Sequence, residues 1–339
     1  MKILLASLAE NGSVKTHTGV GRYYHSIRER LEKENHEIFF FAPKRPVNVD
    51  KLSLYNTFIP LLSNSFAKDF AKVFEKVKPD AIHIQGESGP GLAARAFCIK
   101  ENIPYSSAYH TNFAIAMNMW LHVPHSWTWR YLRWFYRPAS LIHTHTERLS
   151  NSLKEESFTN PIAIFPPGVD TKLFYPDPNP ALFANYKRPY FIYAGRISKE
   201  KNIEAFLDLD LPGTKFVIGS GPEKPNLEKK YKGKAVFFTS EHLRPMLSNG
   251  DVFVFPSKFE TFGLVLLEAL ACGLPIAAYP VMGPLDVIEQ GVNGYALENL
   301  QEAALRCLTL KNKDAFLATA NRFTWEKTAD NFVKNQIIL

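Results

Sequence analysis

Short apolar runs alternate with amphipathic helical stretches from one end of the chain to the other. In the first half, Lys2–Ser7, Glu37–Ala42, Ala81–Gln85, Tyr105–Tyr109 and Ser140–Thr144 read as strands, with helical patterns near Gly21–Glu34, Ser65–Lys78 and Gly91–Glu101. The second half repeats the plan with strands at Tyr190–Ala194, Lys215–Ile218, Ala235–Phe238, Val252–Pro256 and Pro275–Ala278. This alternation predicts the α/β class, with parallel sheets and crossover helices. Between the halves, Phe165–Pro180 concentrates prolines and turn residues that disfavour either regular structure. The expected organisation is a first domain over residues 1–165, a linker over 166–180 and a second domain over 181–320. A helix follows within 321–339, where Trp325, Ala329, Phe332 and Val333 have helical spacing; it can pack on either domain, including a return to the first. Two doubly wound domains of this kind are expected to face each other across a cleft, with ligands at the carboxyl ends of the strands.

The length of 339 residues fits two domains of about 150 to 180 residues each. Hydrophobic residues make up 46% and charged residues 22%, which suffices for two cores and excludes a disordered or low-complexity chain. Cys98, Cys272 and Cys307 lie far apart, so neither a disulfide framework nor a zinc site is expected, and a reducing compartment follows. The opening MKILLASLAENG meets polar residues before a signal-peptide core is complete, which predicts an intracellular protein. Gly263–Gly283 is the most apolar stretch, but Glu268, Gly273 and Pro275 interrupt it, so it reads as helix, turn and strand rather than a membrane span. A net charge of +7 favours anionic partners, be they nucleotides, an acidic membrane surface or nucleic acid.

Candidate chemistry gathers on two loops that follow strands. In VFVFPSKFETFGLVLLEALACGLP, from Val252 to Pro275, a buried strand and a polar loop precede a helix opened by Gly263. Free amides there, those of Phe262, Gly263 and Leu264, and the positive helix end suit a diphosphate, with Thr261 beside them. Glu260 precedes the helix and Glu268 stands inside it, roughly 12 Å further along at about 1.5 Å per residue. That separation matches the reach of a nucleotide-sugar from hexose to ribose, with Glu260 on the sugar and Glu268 on the ribose hydroxyls. Each glutamate alone could be an ordinary helix charge, but Glu268 sits among Val265, Leu266, Leu267, Ala269 and Leu270, a poor setting for a solvated carboxylate. The second loop, in YFIYAGRISKEKN, offers Gly195, Arg196, Lys199 and Lys201 after a strand, and its cations suit a leaving diphosphate.

These two segments, with GVNGY at Gly291–Tyr295, PGVD at Pro167–Asp170 and GSGPE at Gly219–Glu223, resemble glycosyltransferase family four. The resemblance covers most of the second half. It implies the GT-B fold of two Rossmann-like domains, a nucleotide-sugar donor such as a UDP- or GDP-sugar, and transfer of a hexose with retained configuration and without a metal or cofactor. It assigns Arg196 and Lys201 to the diphosphate, Glu260 to the sugar, Glu268 to the ribose, and Gly195 and Gly221 to the donor loops. In the first half, THTGVGRYYHSI resembles the family's first glycine loop, where Gly19 and Gly21 admit donor phosphate or acceptor. YHTNF resembles its histidine motif, which places His110 beside the donor sugar as a fourth catalytic candidate with Glu260, Arg196 and Lys201. Asp208-Leu209-Asp210 imitates a metal-binding DxD but follows no buried strand, so it reads as a surface loop. Phe238-Thr239-Ser240-Glu241 stands where the family often has a glycine, which leaves the base preference open.

The acceptor is addressed by MNMWLHVPHSWTWRYLRWFYRP, from Met117 to Pro138. Trp120, Trp127, Trp129 and Trp134 with Arg130, Arg133 and Arg137 suit a membrane interface, where rings lie at headgroup depth and guanidinium groups meet lipid phosphates. A lipid acceptor and a peripheral station on the inner membrane face would follow. YHTNF and QGESGPGLAARAFC at Gln85–Cys98 also resemble the branch of the family that glycosylates lipids, which implies an acceptor of the diacylglycerol or phosphatidylinositol type. An aromatic core helix or a carbohydrate-stacking surface is the plain alternative, with a soluble or polysaccharide acceptor. A nicotinamide-dependent dehydrogenase is disfavoured because no GxGxxG follows the first strand. A non-catalytic sugar-nucleotide binder is a further rival, and intact Arg196, Lys201, Glu260 and Glu268 argue against it. No nucleic-acid partner is expected.

Overall fold

The computed structural model describes residues 1–7, 19–42, 64–110, 113–239, 241 and 243–339. Thr16–Thr18 of the first glycine loop, Thr111 and Asn112 of the histidine motif, Ser240 and the side chain of Trp120 lie outside the described residues. The chain packs as two compact units, residues 1–166 with 325–339 and residues 167–324.

Unit one contains β1 (Lys2–Ala6), α1 (Gly19–Lys33), β2 (Glu37–Phe41), α2 (Asn64–Val77), β3 (Ala81–Ile84), α3 (Gly89–Lys100), β4 (Ser106–Ala108), α4 (Phe113–Leu121), α5 (His125–Tyr136), β5 (Leu141–Thr144), α6 (Glu147–Glu155) and β6 (Ile162–Ile164). Its six strands are all parallel, in the order β2-β1-β3-β4-β5-β6. Polar side chains start the helices: Ser88 accepts from Gly91 N at the head of α3, and Thr146 from Leu149 N at the head of α6. The closing helix Trp325–Lys334 lies on α1, with Trp325 against Tyr23 and Phe332 against Tyr24 and His83. Beyond it, Leu339 N donates to Asp80 O just before β3.

Unit two contains β7 (Tyr190–Ala194), α7 (Ile203–Leu207), β8 (Thr214–Ile218), α8 (Lys224–Lys230), β9 (Val236–Phe238), α9 (Leu243–Ser248), β10 (Val252–Phe255), α10 (Leu264–Ala271), β11 (Ile276–Ala278), α11 (Pro284–Val287), β12 (Gly294–Ala296), α12 (Leu300–Cys307) and α13 (Lys313–Arg322). The parallel order here is β12-β11-β10-β7-β8-β9, that of two mononucleotide-binding halves meeting between β7 and β10. Both faces of the sheet are apolar because helices cover both. Ile192, Phe216, Phe253 and Ile276 point to one core with Leu266, Leu267 and Leu270 of α10. Phe191, Tyr193, Val217 and Val254 point to the other with Ile203, Phe206, Leu300 and Cys307. The proline-rich segment from Pro167 onward packs here too: Val169 and Phe174 are buried in the first of these cores, and Val169 N donates to Phe323 O.

Strand positions agree with the sequence reading to within a residue or so, and two strands escaped it. β6 and β12 sit at sheet edges among turn residues: Pro161 and Pro166 flank β6, and β12 opens on Gly294 of GVNGY. α1 starts two residues before the expected Gly21, so Gly19 of the first glycine loop is its first residue, and Gly21, its third, is buried. α10 begins only at Leu264, so helical rise spans Leu264 to Glu268 and not the whole interval from Glu260.

Candidate active site

The order of the second sheet places the carboxyl ends of β7 and β10 side by side, although the two strands are far apart in the chain. The loop after β7 is held from several directions: Gly195 N donates to Ile218 O, Ile197 N to Ser220 O and Tyr193 Oη to Arg196 O. It ends in a 3-10 turn at Lys199–Lys201, and Asn202, in the left-handed region at φ 52°, donates from Nδ2 to Pro256 O at 3.1 Å. That bond ties the β7 loop to the β10 loop.

Across the same junction Lys201 Nζ lies 2.8 Å from Glu260 Oε2, with the two side chains 24% and 17% exposed. The other oxygen, Glu260 Oε1, accepts from Thr261 N at 3.1 Å. Both charges are thus part-buried and held in one geometry, unlike a solvated surface pair. Arg196 is half-buried on the same loop. Gly263, at φ +86°, turns the chain into α10 in a conformation costly for any other residue. Thr261, Gly263 and Leu264 are half-buried, whereas Phe262 is buried against Phe323. Glu268, about one turn into α10, is 3% exposed among its leucines, which rules out the solvated helix carboxylate.

Gly221 has a role that its motif alone does not reveal. A Cβ there would stand 2.2 Å from Ile197 O, so the glycine lets the loop after β8 lie directly on the loop carrying Arg196. Asp208 caps the end of α7 and accepts from Tyr231 Oη at 2.7 Å, as a structural carboxylate does. Among the described residues no group of three or more His, Cys, Asp or Glu could hold a metal ion.

In unit one, His110 follows β4 and belongs to a buried polar cluster that the sequence reading missed. Tyr24 Oη lies 2.6 Å from His110 Nε2 and 2.9 Å from His83 Nε2. His110 Nδ1 meets His145 Nε2 at 2.8 Å with the rings stacked, and His83 Nδ1 meets Ser106 Oγ at 2.8 Å. Ser106 Oγ donates to Gln336 Oε1 at 3.0 Å, beyond the closing helix. Burial pushes all four imidazoles of this region down: His83 and His110 well below the usual range, His143 to about 3 and His145 to about 4. All are therefore neutral at pH 7. Tyr24 has one hydrogen, so it donates to one of His83 and His110 and accepts from the other, and their tautomers are coupled. Both ring nitrogens of His110 are thereby engaged inside the unit, and the residue is 7% exposed. The signal for the cluster was polar residues inside buried strands: His83 in AIHI, and His143 and His145 two apart in LIHTHT.

Beside it, on the loop after β3, Glu87 is part-buried and its Oε1 lies 2.6 Å from Tyr136 Oη. Burial outweighs the hydrogen bonds from Tyr136 and from its own backbone and raises its carboxyl to about 7.

The Trp/Arg segment divides between protein and solvent. Trp127 is 71% and Trp134 50% exposed, and Arg130 and Arg137 are exposed beside them. Trp129 turns inward between Tyr109 and Phe158, and Arg133 pairs with Glu156 at 3.5 Å. Arg95 stacks on Trp134 at 3.9 Å and donates to the Trp134 and Phe135 carbonyls, fixing the end of α5. Among the described residues no helix is long and apolar enough to cross a membrane.

Comparison with known proteins gives two family matches. Residues 17–173 match the family described as Glycosyltransferase Family 4, and residues 188–312 the one described as Glycosyl transferases group 1. The chain is 31% identical to the sulfoquinovosyl transferase of Arabidopsis thaliana over 65% of its own length and 46% of that relative, about half. It is 24% identical to the alpha-monoglucosyldiacylglycerol synthase of Acholeplasma laidlawii over 88% of this chain and 85% of that one. Among solved structures, the sucrose-phosphate synthase of Thermosynechococcus elongatus superposes with a TM-score of 0.81 at 19% identity, covering 98% of this chain and 97% of the other. With both units matched in sequence and the fold shared end to end, the chain belongs to glycosyltransferase family 4 and has the GT-B fold.

Proposed function

We propose that the protein transfers a hexose from a nucleotide-sugar to a hydroxyl acceptor with retention of configuration. The observation that carries this reading is the Lys201–Glu260 pair at the junction of β7 and β10. Such a switch point is where open α/β sheets take nucleotides. In this reading Arg196 and Lys201 hold the diphosphate, Glu260 orients the sugar and buried Glu268 accepts from the ribose hydroxyls. The half-buried turn at Gly263 and Leu264 supports a place for phosphate oxygens at the head of α10. The bond from the anomeric carbon to the phosphate breaks while the acceptor oxygen bonds the same face, and its proton passes to the departing phosphate. The cations stabilise the charge that develops there, and no metal is assigned a part.

A lipid acceptor is the favoured source of the hydroxyl. Exposed Trp127, Trp134, Arg130 and Arg137 support it, as does similarity to the Acholeplasma protein, which is named as a synthase of monoglucosyldiacylglycerol.

Thermal-shift measurements across UDP-, GDP- and ADP-sugars, followed by transfer assays with the stabilising donor, test the proposal. A ligand present at about 100 times its Kd adds roughly 2.7 kcal/mol of apparent stability. Glu260→Ala and Lys201→Ala should retain the fold and lose transfer; near-normal turnover in either would remove the site assignment.

A further inference from the structure

Tyr136 Oη stands 2.6 Å from Glu87 Oε1 and 2.9 Å from the carbonyl oxygen of Ala108, the last residue of β4. Both distances are those of hydrogen bonds, yet a tyrosine hydroxyl has a single hydrogen. A peptide carbonyl has none to offer. Were Glu87 a carboxylate, it would take the tyrosine hydrogen, and the lone pairs of Tyr136 Oη and Ala108 O would face each other at 2.9 Å. Both contacts are attractive at once if Glu87 carries the proton, donates it to Tyr136 Oη, and leaves the tyrosine hydrogen on Ala108 O.

The surroundings favour that state. The titratable groups near Glu87 are Tyr131 and Tyr136 of α5 and Tyr109 after β4, and Tyr131 Oη also donates to the Glu87 carbonyl. Arg95 of α3 spends its guanidinium on the Trp134 and Phe135 carbonyls. Among the described residues no lysine or arginine forms an ion pair with Glu87.

We propose that Glu87 is a positioning residue for the transfer reaction: as a neutral acid it lets Tyr136 grip the end of β4, and losing its proton to solvent turns the Tyr136 O–H to donate to the carboxylate, which releases Ala108. The grip matters because Tyr109 and His110 follow Ala108 directly. Burial holds the Glu87 carboxyl at about 7, so the release falls in the range where an enzyme works. This rests on the proposed glycosyl transfer for its effect on rate, but not for its effect on structure.

The test compares the full chain with E87Q and Y136F between pH 5.5 and pH 9. The amide introduced by E87Q can donate to Tyr136 Oη at every pH and so imitates the acid. Hydrogen exchange over residues 104–110 should match between wild type and E87Q at pH 5.5, and be faster in wild type at pH 8.5. Wild-type transfer should fall by up to about tenfold per pH unit above about pH 7, as for loss of one required proton, toward a lower plateau. E87Q should lack this step, and Y136F should show the plateau rate throughout. Equal exchange in wild type and E87Q at pH 8.5 overturns the proposal. Parallel rate profiles for the two proteins also overturn it, by leaving Glu87 a structural acid only. If no sugar-nucleotide supports transfer in any of the proteins, the functional reading falls, while the exchange comparison still decides the grip on β4.

Discussion

A single hydroxyl, that of Tyr24, serves two buried imidazoles in unit one. Tyr24→Phe removes that hydroxyl at no cost in ring packing and takes from His83 Nε2 its 2.9 Å contact. A buried group left unsatisfied costs about 1–3 kcal/mol, so the substitution should lower the denaturation free energy by about that amount, read from urea curves. It should do so without touching unit two, where the Lys201–Glu260 pair lies. The two sets of residues also differ in how visible they are before folding. Glu260, Glu268, Arg196 and Lys201 sit in motifs whose residue types already suit a sugar diphosphate. That Lys201 meets Glu260 is a matter of strand order, which no local pattern carries. His83, His143 and His145 escaped notice because a histidine in an apolar strand has no marker for which neighbour it will meet across the sheet.

Elements were easier to read than residues, because a strand covered on both faces must be apolar throughout. Most strands were legible on that ground, whereas β6, between Pro161 and Pro166, and β12, opening on Gly294, were masked by the turn residues around them. The helical segment α5 illustrates a pattern whose function depends on direction. Composition alone marked its tryptophans and arginines as one lipid-facing group, and the fold turns Trp129 and Arg133 toward protein while leaving Trp127, Arg130 and Arg137 outside. If the proposed lipid acceptor holds, Trp127→Ala with Arg130→Glu and Arg137→Glu should weaken sedimentation with anionic vesicles. The effect should shrink as salt rises, because exposed charges more than about 8 Å apart are screened at physiological ionic strength. Vesicle binding unchanged by the triple substitution would remove α5 from the acceptor side.

For the molecule as a whole, pH acts on the two units unequally. His83, His110, His143 and His145 belong to unit one and have folded pKa values below the unfolded value of 6.5. Above pH 6.5 they are neutral in both states and contribute nothing to the slope. As pH falls below that, the unfolded chain binds protons that the folded cluster refuses, so stability drops. Glu87 has the opposite sign, since its folded value of about 7 exceeds 4.5: the stability of its acid form is full below 4.5 and lost as pH rises through 7. With four histidines against one glutamate, unit one should lose stability overall between pH 6.5 and pH 4, at roughly 1.4 kcal/mol per pH unit for each proton taken up. All five tryptophans lie in unit one, so their fluorescence in urea titrations follows that unit alone. A midpoint that holds steady from pH 6.5 to pH 4.5 would contradict neutral burial of the histidines.

The return of Trp325–Leu339 to unit one has a consequence for how the protein comes into being. Unit two is continuous in sequence and has all its parts once residue 324 has left the ribosome. Unit one, begun first, must wait for the later stretch that supplies Phe332 against His83 and Gln336 to Ser106. Until then His83 and His143 lack the ring that covers them, and the half made earlier is finished after the half made later.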